Sequence, residues 1–319
     1  MNATPELRFD GRVAVVTGAG RGLGRAHALL LASRGAKVVV NDFGGSKEGV
    51  GSDTGPANEV VQEIIDAGGE AVADTNSVAS EEGCQALVET AVREFGRIDI
   101  VVNNAGISRW ATFPEADAEN LEITLDVHLR GTWNTTRAAW PHFAEQGYGR
   151  VITTASTGML GLPNNLAYAT AKGALIGFTR SLAVAAKPQG ILVNCIAPNS
   201  VTRPSETTGK GSIVAQNQMD EARAALMQTD RVSPMVAFLA HESCPVNGEI
   251  LVAGANRFGR WFLGFTEGWL AEGDAVPTVE DVAAHWEQIN DLDGFYVPSG
   301  LQDWSARFMS QLADMGTSK

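Results

Sequence analysis

Tyr168 and Lys172 stand four residues apart in Tyr168-Ala169-Thr170-Ala171-Lys172, within a stretch, 166–186, whose composition predicts one long helix. At that spacing a phenol and an ammonium share one helix face, one turn apart. An opposite charge within a few ångströms favours the phenolate. A tyrosine that gives up its proton more readily serves as a general base near neutral pH. The same spacing also occurs on ordinary surface helices. What weights this pair toward chemistry is a glycine-rich signature about 150 residues upstream on the same chain.

That signature is Thr17-Gly18-Ala19-Gly20-Arg21-Gly22-Leu23-Gly24. It follows Arg12-Val13-Ala14-Val15-Val16, an apolar run that reads as a buried strand. Residues 25–34 have helical composition and stop at Gly35. Strand, glycine turn and helix is the context in which a backbone approaches a pyrophosphate and a helix N-terminus faces it. Gly18, Arg21, Gly22, Leu23 and Gly24 are therefore candidate cofactor-binding residues. The next strand, 37–41, ends at Asp42, an acidic residue about 20 positions past the glycines, where a carboxylate accepts the adenosine ribose hydroxyls. The same carboxylate repels a 2′-phosphate, so the expected cofactor is NAD and not NADP. A turn or capping Asp is the plainer alternative. Arg21 is the residue that speaks for NADP, and it ranks second to Asp42.

The chain has 319 residues, 44% of them hydrophobic, and a formal net charge of −13. That charge argues against a nucleic-acid partner. No apolar stretch approaches the roughly 20 residues of a membrane span. The N-terminus lacks a basic segment followed by an apolar run, and Thr317-Ser318-Lys319 is not a Ser-Lys-Leu ending. Cys84, Cys195 and Cys244 match no metal spacing, so no metal is expected. Cys195 lies in an apolar strand and reads as packing. Reduced, buried thiols fit a cytoplasmic setting.

Strands are predicted at 12–16, 37–41, 70–74, 98–103, 150–154, 191–197 and 249–252, separated by helices at 22–34, 56–67, 80–95, 118–143, 166–186 and 231–240. Such alternation implies an α/β fold, a Rossmann-type doubly wound parallel sheet with right-handed crossovers. Cofactors bind outside the carboxyl ends of such strands. Two segments exceed simple connections: a Gly/Ser-rich insert, 43–56, beside the adenosine end, and a polar loop, 198–220, placed to close over substrate. Residues 1–253 are expected to form the dinucleotide-binding domain. Residues 254–319, with four of the seven tryptophans, form a C-terminal extension packed on that domain or on a partner subunit.

The set Thr17-Gly18-x-x-x-Gly22-x-Gly24, Asn103-Asn104-Ala105-Gly106, Tyr168-x-x-x-Lys172 and Asn194-x-x-x-Pro198 resembles the short-chain dehydrogenase/reductase family. The stretches 9–18, 38–45, 127–131, 137–140, 196–199 and 241–244 are similar, more finely, to the dehydrogenase part of peroxisomal multifunctional enzymes of type 2. That likeness implies NAD-dependent oxidation of a (3R)-hydroxyacyl-CoA, with a fatty or a steroid side chain, to the 3-oxoacyl-CoA. A hydroxysteroid dehydrogenase of the same family and a cofactor-binding protein with little or no catalysis are the other readings. By the resemblance Tyr168 is the base, and Lys172 lowers its pKa and holds the nicotinamide ribose. Asn76 and Ser77 contact the adenine side, Asn104 and Gly106 line the cofactor cleft, and Val201 and Thr202 approach the nicotinamide amide. Asn103 reads equally well as a plain end of a strand. The family also implies a homodimer or homotetramer built on the long helices.

The chain departs from the family at two positions that bear on chemistry. The family places a serine thirteen residues before the tyrosine, and here that residue is Ala155. Loss of one donor to a developing oxyanion lowers rates by about 10²–10³. Three readings stay open: Ser156 takes over through a local bend, activity is weak or absent, or the alanine is an introduced substitution. Alternation along a strand points Ser156 away from the position of residue 155 unless the strand has already ended. His128 stands where the family often has an asparagine that places a proton-relay water; relay and structural hydrogen bonding are the two readings for it. CoA is polyanionic and the chain acidic, so a local basic patch has to receive its phosphates. Arg109, Arg203, Lys210, Arg257 and Arg260 are present for this, though each also reads as an ordinary solvated charge.

Overall fold

The structure is a computed structural model that describes residues 5–200, 225–271, 273 and 275–315. The chain divides into two compact units, Met1–Arg260 and Trp261–Lys319.

In the first unit the strands β1 (Val13–Thr17), β2 (Lys37–Asn41), β3 (Glu70–Asp74), β4 (Ile100–Asn103), β5 (Gly149–Thr154), β6 (Ile191–Pro198), β7 (Ile250–Gly254) and β8 (Arg257–Trp261) form one sheet in the order β3-β2-β1-β4-β5-β6-β7-β8. The pairs from β3 to β7 are all parallel. β8 joins β7 through Ala255 and Asn256, both with positive φ (50° and 58°), as a tight hairpin turn requires.

Valine-rich runs form the central strands because both faces of the sheet are covered. Alternate residues sort cleanly. Val13, Val15, Val39, Val101, Val151 and Val193 pack on one side against α3 (Glu81–Phe95), α5 (Gly131–Gln146) and α6 (Leu166–Ala186). Ala14, Val16, Val38, Val40, Val102 and Ile152 pack on the other against α1 (Gly22–Ser33), α2 (Gly55–Asp66) and α7 (Ser233–Ala240). The result is the doubly wound three-layer arrangement, with the switch in strand order between β1 and β4.

The predicted helix at 118–143 is two helices. α4 (Ala118–Leu125) and α5 are joined by a π-helical turn, Asp126–Arg130, which contains His128. Such turns recur at functional sites because they re-aim a side chain within a continuous helix. β8 was not expected, and it extends the sheet to the end of the first unit.

α1 and α7 are linked by a buried polar pair, His27 Nδ1 and Ser233 Oγ at 2.8 Å. Burial drives His27 down to about 3. The folded imidazole therefore stays neutral while the unfolded chain takes up a proton below its ordinary value near 6.5. Stability is full above that pH and falls as the pH drops toward 3. The expected loss between pH 7 and pH 4 is about 3 kcal/mol from this residue. Urea denaturation at both pH values, on the native chain and on His27→Gln, checks this: the variant should lose less on acidification, and equal losses would refute it.

The second unit carries α8 (Val279–Ala284), α9 (Trp286–Ile289) and α10 (Leu301–Met315). Thr278 and Asp281 form a reciprocal capping box at the start of α8. Its rings pair among themselves: Phe262 on Phe295, Trp269 on His285, and Phe265 against Tyr296 and Trp304.

Candidate active site

A cavity of about 580 Å³ opens at the carboxyl ends of the strands, around the β1/β4 switch point. Its size suits a small-molecule site. The glycine loop forms one wall. Gly18 and Gly22 adopt positive φ (62° and 57°), and Gly18, Arg21, Gly22 and Leu23 line the cavity. A Cβ on Gly18 would meet the Ala105 backbone at 2.8 Å. Gly24 does not line the cavity; a Cβ there would stand 2.2 Å from Gly18 O. Gly24 packs α1 closely on the loop.

Asp42 holds the loop from the side. Its Oδ2 accepts from Gly20 N and its Oδ1 from Gly44 N, each at 2.8 Å. Its remaining lone pairs are available to hydroxyl groups at the cavity wall. Asn76 and Ser77 line the cavity after β3, and Asn76 is held by Asp74 at 3.0 Å (N) and 2.8 Å (Nδ2). Asn104 also lines it, but its amide is committed to Thr17 O (2.9 Å) and Gly18 O (3.1 Å), clamping the end of β4 to the glycine loop. Asn103 points to Thr136 Oγ1 at 3.1 Å and is structural. Val201 and Thr202 lie outside the described residues.

At the far end α6 delivers Tyr168 and Lys172. Asn165 caps this helix: its Oδ1 accepts from Tyr168 N and its Nδ2 donates to Ser108 Oγ at 3.0 Å. An Asn before a helical run is an N-cap signal, and it is the one by which Asn165 is legible in the sequence. Lys172 is buried, and its Nζ donates to Thr154 O at 2.5 Å and lies 5.7 Å from the Tyr168 ring centre.

β5 ends at Thr154, so strict strand alternation no longer governs Ser156. Ala155 is 1% exposed and keeps its N–H on Ile196 O at 2.8 Å. Ser156 is extended (φ −161°, ψ 147°) and its Oγ accepts from Gly158 N at 3.0 Å. Its hydroxyl lies on the Tyr168 side of the cavity and opposes the rise that burial imposes on the phenol. Ser156 is thus the hydroxyl next to Ala155 on the cavity wall.

His128 is 2% exposed and meets Tyr168 edge-on, with ring centres 5.3 Å apart. Its Nε2 is within 3.1 Å of Ile107 N and 2.8 Å of Ile107 O, and its Nδ1 has no partner among the described residues. Gly106 is required here, because a Cβ would stand 2.6 Å from His128 Cε1. Thr154 Oγ1, also at the cavity, is a second buried polar atom without a partner.

The electrostatics differ from the sequence expectation. Burial pushes the Tyr168 phenol up, and the Ser156 hydrogen bond is what opposes it. Burial pulls Lys172 down to about 8, with Cys195 acting the other way. His128 lies well below its ordinary value, through burial and then the Lys172 charge, and is neutral. The lysine ammonium is directed at the Thr154 carbonyl.

The close-packed glycine loop, the carboxylate beside it and the orphaned polar atoms at the far end fit a dinucleotide lying across the switch point. A family model for short chain dehydrogenases matches residues 12–211. The chain belongs to that family. It is an oxidoreductase, and nicotinamide dinucleotides are the cofactor class its glycine loop suits. A putative short-chain type dehydrogenase/reductase of Mycobacterium tuberculosis, Rv0148, is 43% identical over 89% of this chain and 95% of its own length. The peroxisomal multifunctional enzyme type 2 of Mus musculus is 42% identical over 93% of this chain, which spans 39% of that protein. The solved full-length peroxisomal multifunctional enzyme type 2 of Drosophila melanogaster superposes with a TM-score of 0.80 at 32% identity, over 97% of this chain and 50% of that one. Among the described residues no helix is long and apolar enough to cross a membrane, and no cluster of side chains is built to hold a metal ion.

Proposed function

We propose that this chain oxidises the 3-hydroxyl of a (3R)-hydroxyacyl-CoA thioester, with a fatty or steroid-derived acyl part, to the 3-oxo thioester with NAD. The observation that carries this reading is the placement of Tyr168, Ser156 and Lys172 at one end of the same cavity that has Asp42 and the glycine loop at the other. Tyr168 takes the hydroxyl proton. Ser156 donates to the substrate oxygen as it becomes a carbonyl. Lys172 holds positive charge behind the phenol, and neutral His128 fixes the ring edge-on. The nicotinamide, when bound, supplies the acceptor for the C3 hydride. Ile107, Trp110, Leu162 and Met227 give the cavity an apolar side that suits the acyl carbons. Asp42 accepts ribose hydroxyls and disfavours a 2′-phosphate. Assembly as a homodimer or homotetramer belongs to the same reading, and Trp133 on α5, 55% exposed, offers apolar surface for it.

Absorbance of NADH formed from (3R)-hydroxybutyryl-CoA tests the proposal. Turnover is expected with the 3R and not the 3S enantiomer, and with NAD over NADP. Asp42→Ala should narrow that cofactor preference by about tenfold or more, as expected from one lost charge-assisted pair. Turnover of free hydroxysteroids with none of CoA thioesters would replace the reading.

A further inference from the structure

The insert after β2 is a built element whose charge the proposed chemistry leaves unused. It closes on itself: Asp53 N donates to Phe43 O (3.2 Å), Ser46 N to Val50 O (2.8 Å) and Gly49 N to Ser46 O (3.0 Å). Ser46 Oγ accepts from Glu48 N (3.2 Å) and Val50 N (3.3 Å). One end is tied to Asp42 through Gly44 N. The other end docks beyond β4, where Ser108 N donates to Lys47 O at 2.8 Å and a Cβ on Gly49 would lie 3.3 Å from Ile107 Cγ2. The loop therefore spans the cavity from the Asp42 side to the Ser108 side, and Phe43, Gly45, Ser46, Lys47 and Gly49 line it.

Among the described residues the cations that line the cavity are Arg21, Lys47 and Lys172. Lys172 is engaged deep inside by Thr154. Lys47 is one-third exposed, and its sole ion pair among the described residues, Glu48 at 3.9 Å, is beyond hydrogen-bonding reach. The N–H groups of Gly45 and Lys47 also have no partner among the described residues. By contrast Arg260 is held by Glu249 at 2.6 Å, and Arg109 faces Glu119 at 3.7 Å. In a chain of net charge −13, an uncommitted ammonium and two free amides on a cavity wall are a recognition element for an anion.

We propose that Lys47, carried by the 43–53 loop, binds a phosphate group of a ligand in this cavity. The phosphate belongs either to the dinucleotide or to the CoA portion of the substrate; the second source rests on the function proposed above, and the first does not. The loop rigidity keeps the entropic cost of ordering the lysine low.

The test uses the full chain and the variants Lys47→Met and Lys47→Arg, each checked for an unchanged melting temperature. NADH affinity is read by fluorescence titration without turnover. KM is read for (3R)-hydroxybutyryl-CoA and for its phosphate-free N-acetylcysteamine thioester. Loss of one partly exposed charge-assisted contact should weaken one of these by about 5- to 30-fold in Lys47→Met, with Lys47→Arg within about threefold of the native chain. A raised NADH Kd assigns the contact to the dinucleotide. A raised KM for the CoA thioester, with NADH affinity and the N-acetylcysteamine substrate unchanged, assigns it to CoA. NADH affinity and CoA-thioester KM both within twofold of native overturn the proposal, as does an equal loss on the phosphate-free substrate with NADH affinity unchanged. If the native chain turns over no thioester, the proposed function fails on its own and NADH affinity alone decides the role of Lys47.

Discussion

Replacing Tyr168 with phenylalanine is expected to lower kcat by about 10²–10⁴-fold, the usual contribution of a positioned general base. NADH affinity should change little, since the ring and its edge-on contact with His128 are retained. Steady-state rates beside a fluorescence titration separate the two effects. Because burial raises the phenol, the rate of alcohol oxidation should climb with pH as Tyr168 loses its proton. Lys172→Met removes the positive charge nearest that ring and should move the rising limb to higher pH. A pH profile of kcat/KM that is identical in the native chain and in Lys172→Met would remove Lys172 from the role proposed for it.

Ser156→Ala should cost about 10²–10³ in kcat, as expected from one lost oxyanion donor in a water-poor site. On the proposed reading, in which Ser156 supplies that donor, Ala155→Ser alone should change the rate by less than about threefold. In the Ser156→Ala background the same Ala155→Ser change should restore much of the loss, because both positions line the cavity. The opposite pattern is equally measurable. A gain near a hundredfold from Ala155→Ser, with Ser156→Ala neutral, would show that the alanine had disabled the site and that Ser156 never replaced it.

The strands were readable because burial on both faces demands continuous Val and Ala runs, and the switch at Gly18 was readable because only glycine accepts its positive φ of 62° against Ala105. The break at Asp126–Arg130 was not, since a π turn is stabilised by what packs around it and leaves the apolar period nearly intact. β8 escaped for a different reason: most of its residues are exposed, so it carries no buried pattern to detect. For Gly24 the motif's spacing specifies a glycine without saying whether ligand or backbone fills the space beside it; here the backbone of Gly18 does.

Local spacing determined the parts of this protein that depend on near neighbours: the glycine turn between β1 and α1, Asp42 at the end of β2, and Tyr168 with Lys172 on one face of α6. Each is set by a helical or strand period acting over a few residues. Tertiary structure decided what those residues meet. It set Ser156 beside Ala155 on the cavity wall, brought His128 from a π turn against Tyr168, turned the Lys172 ammonium to Thr154 O, and laid Lys47 across the cavity onto Ser108. These contacts join segments far apart in the chain. Their distances follow from how the crossovers stack the layers and where each strand ends, and no local period encodes that.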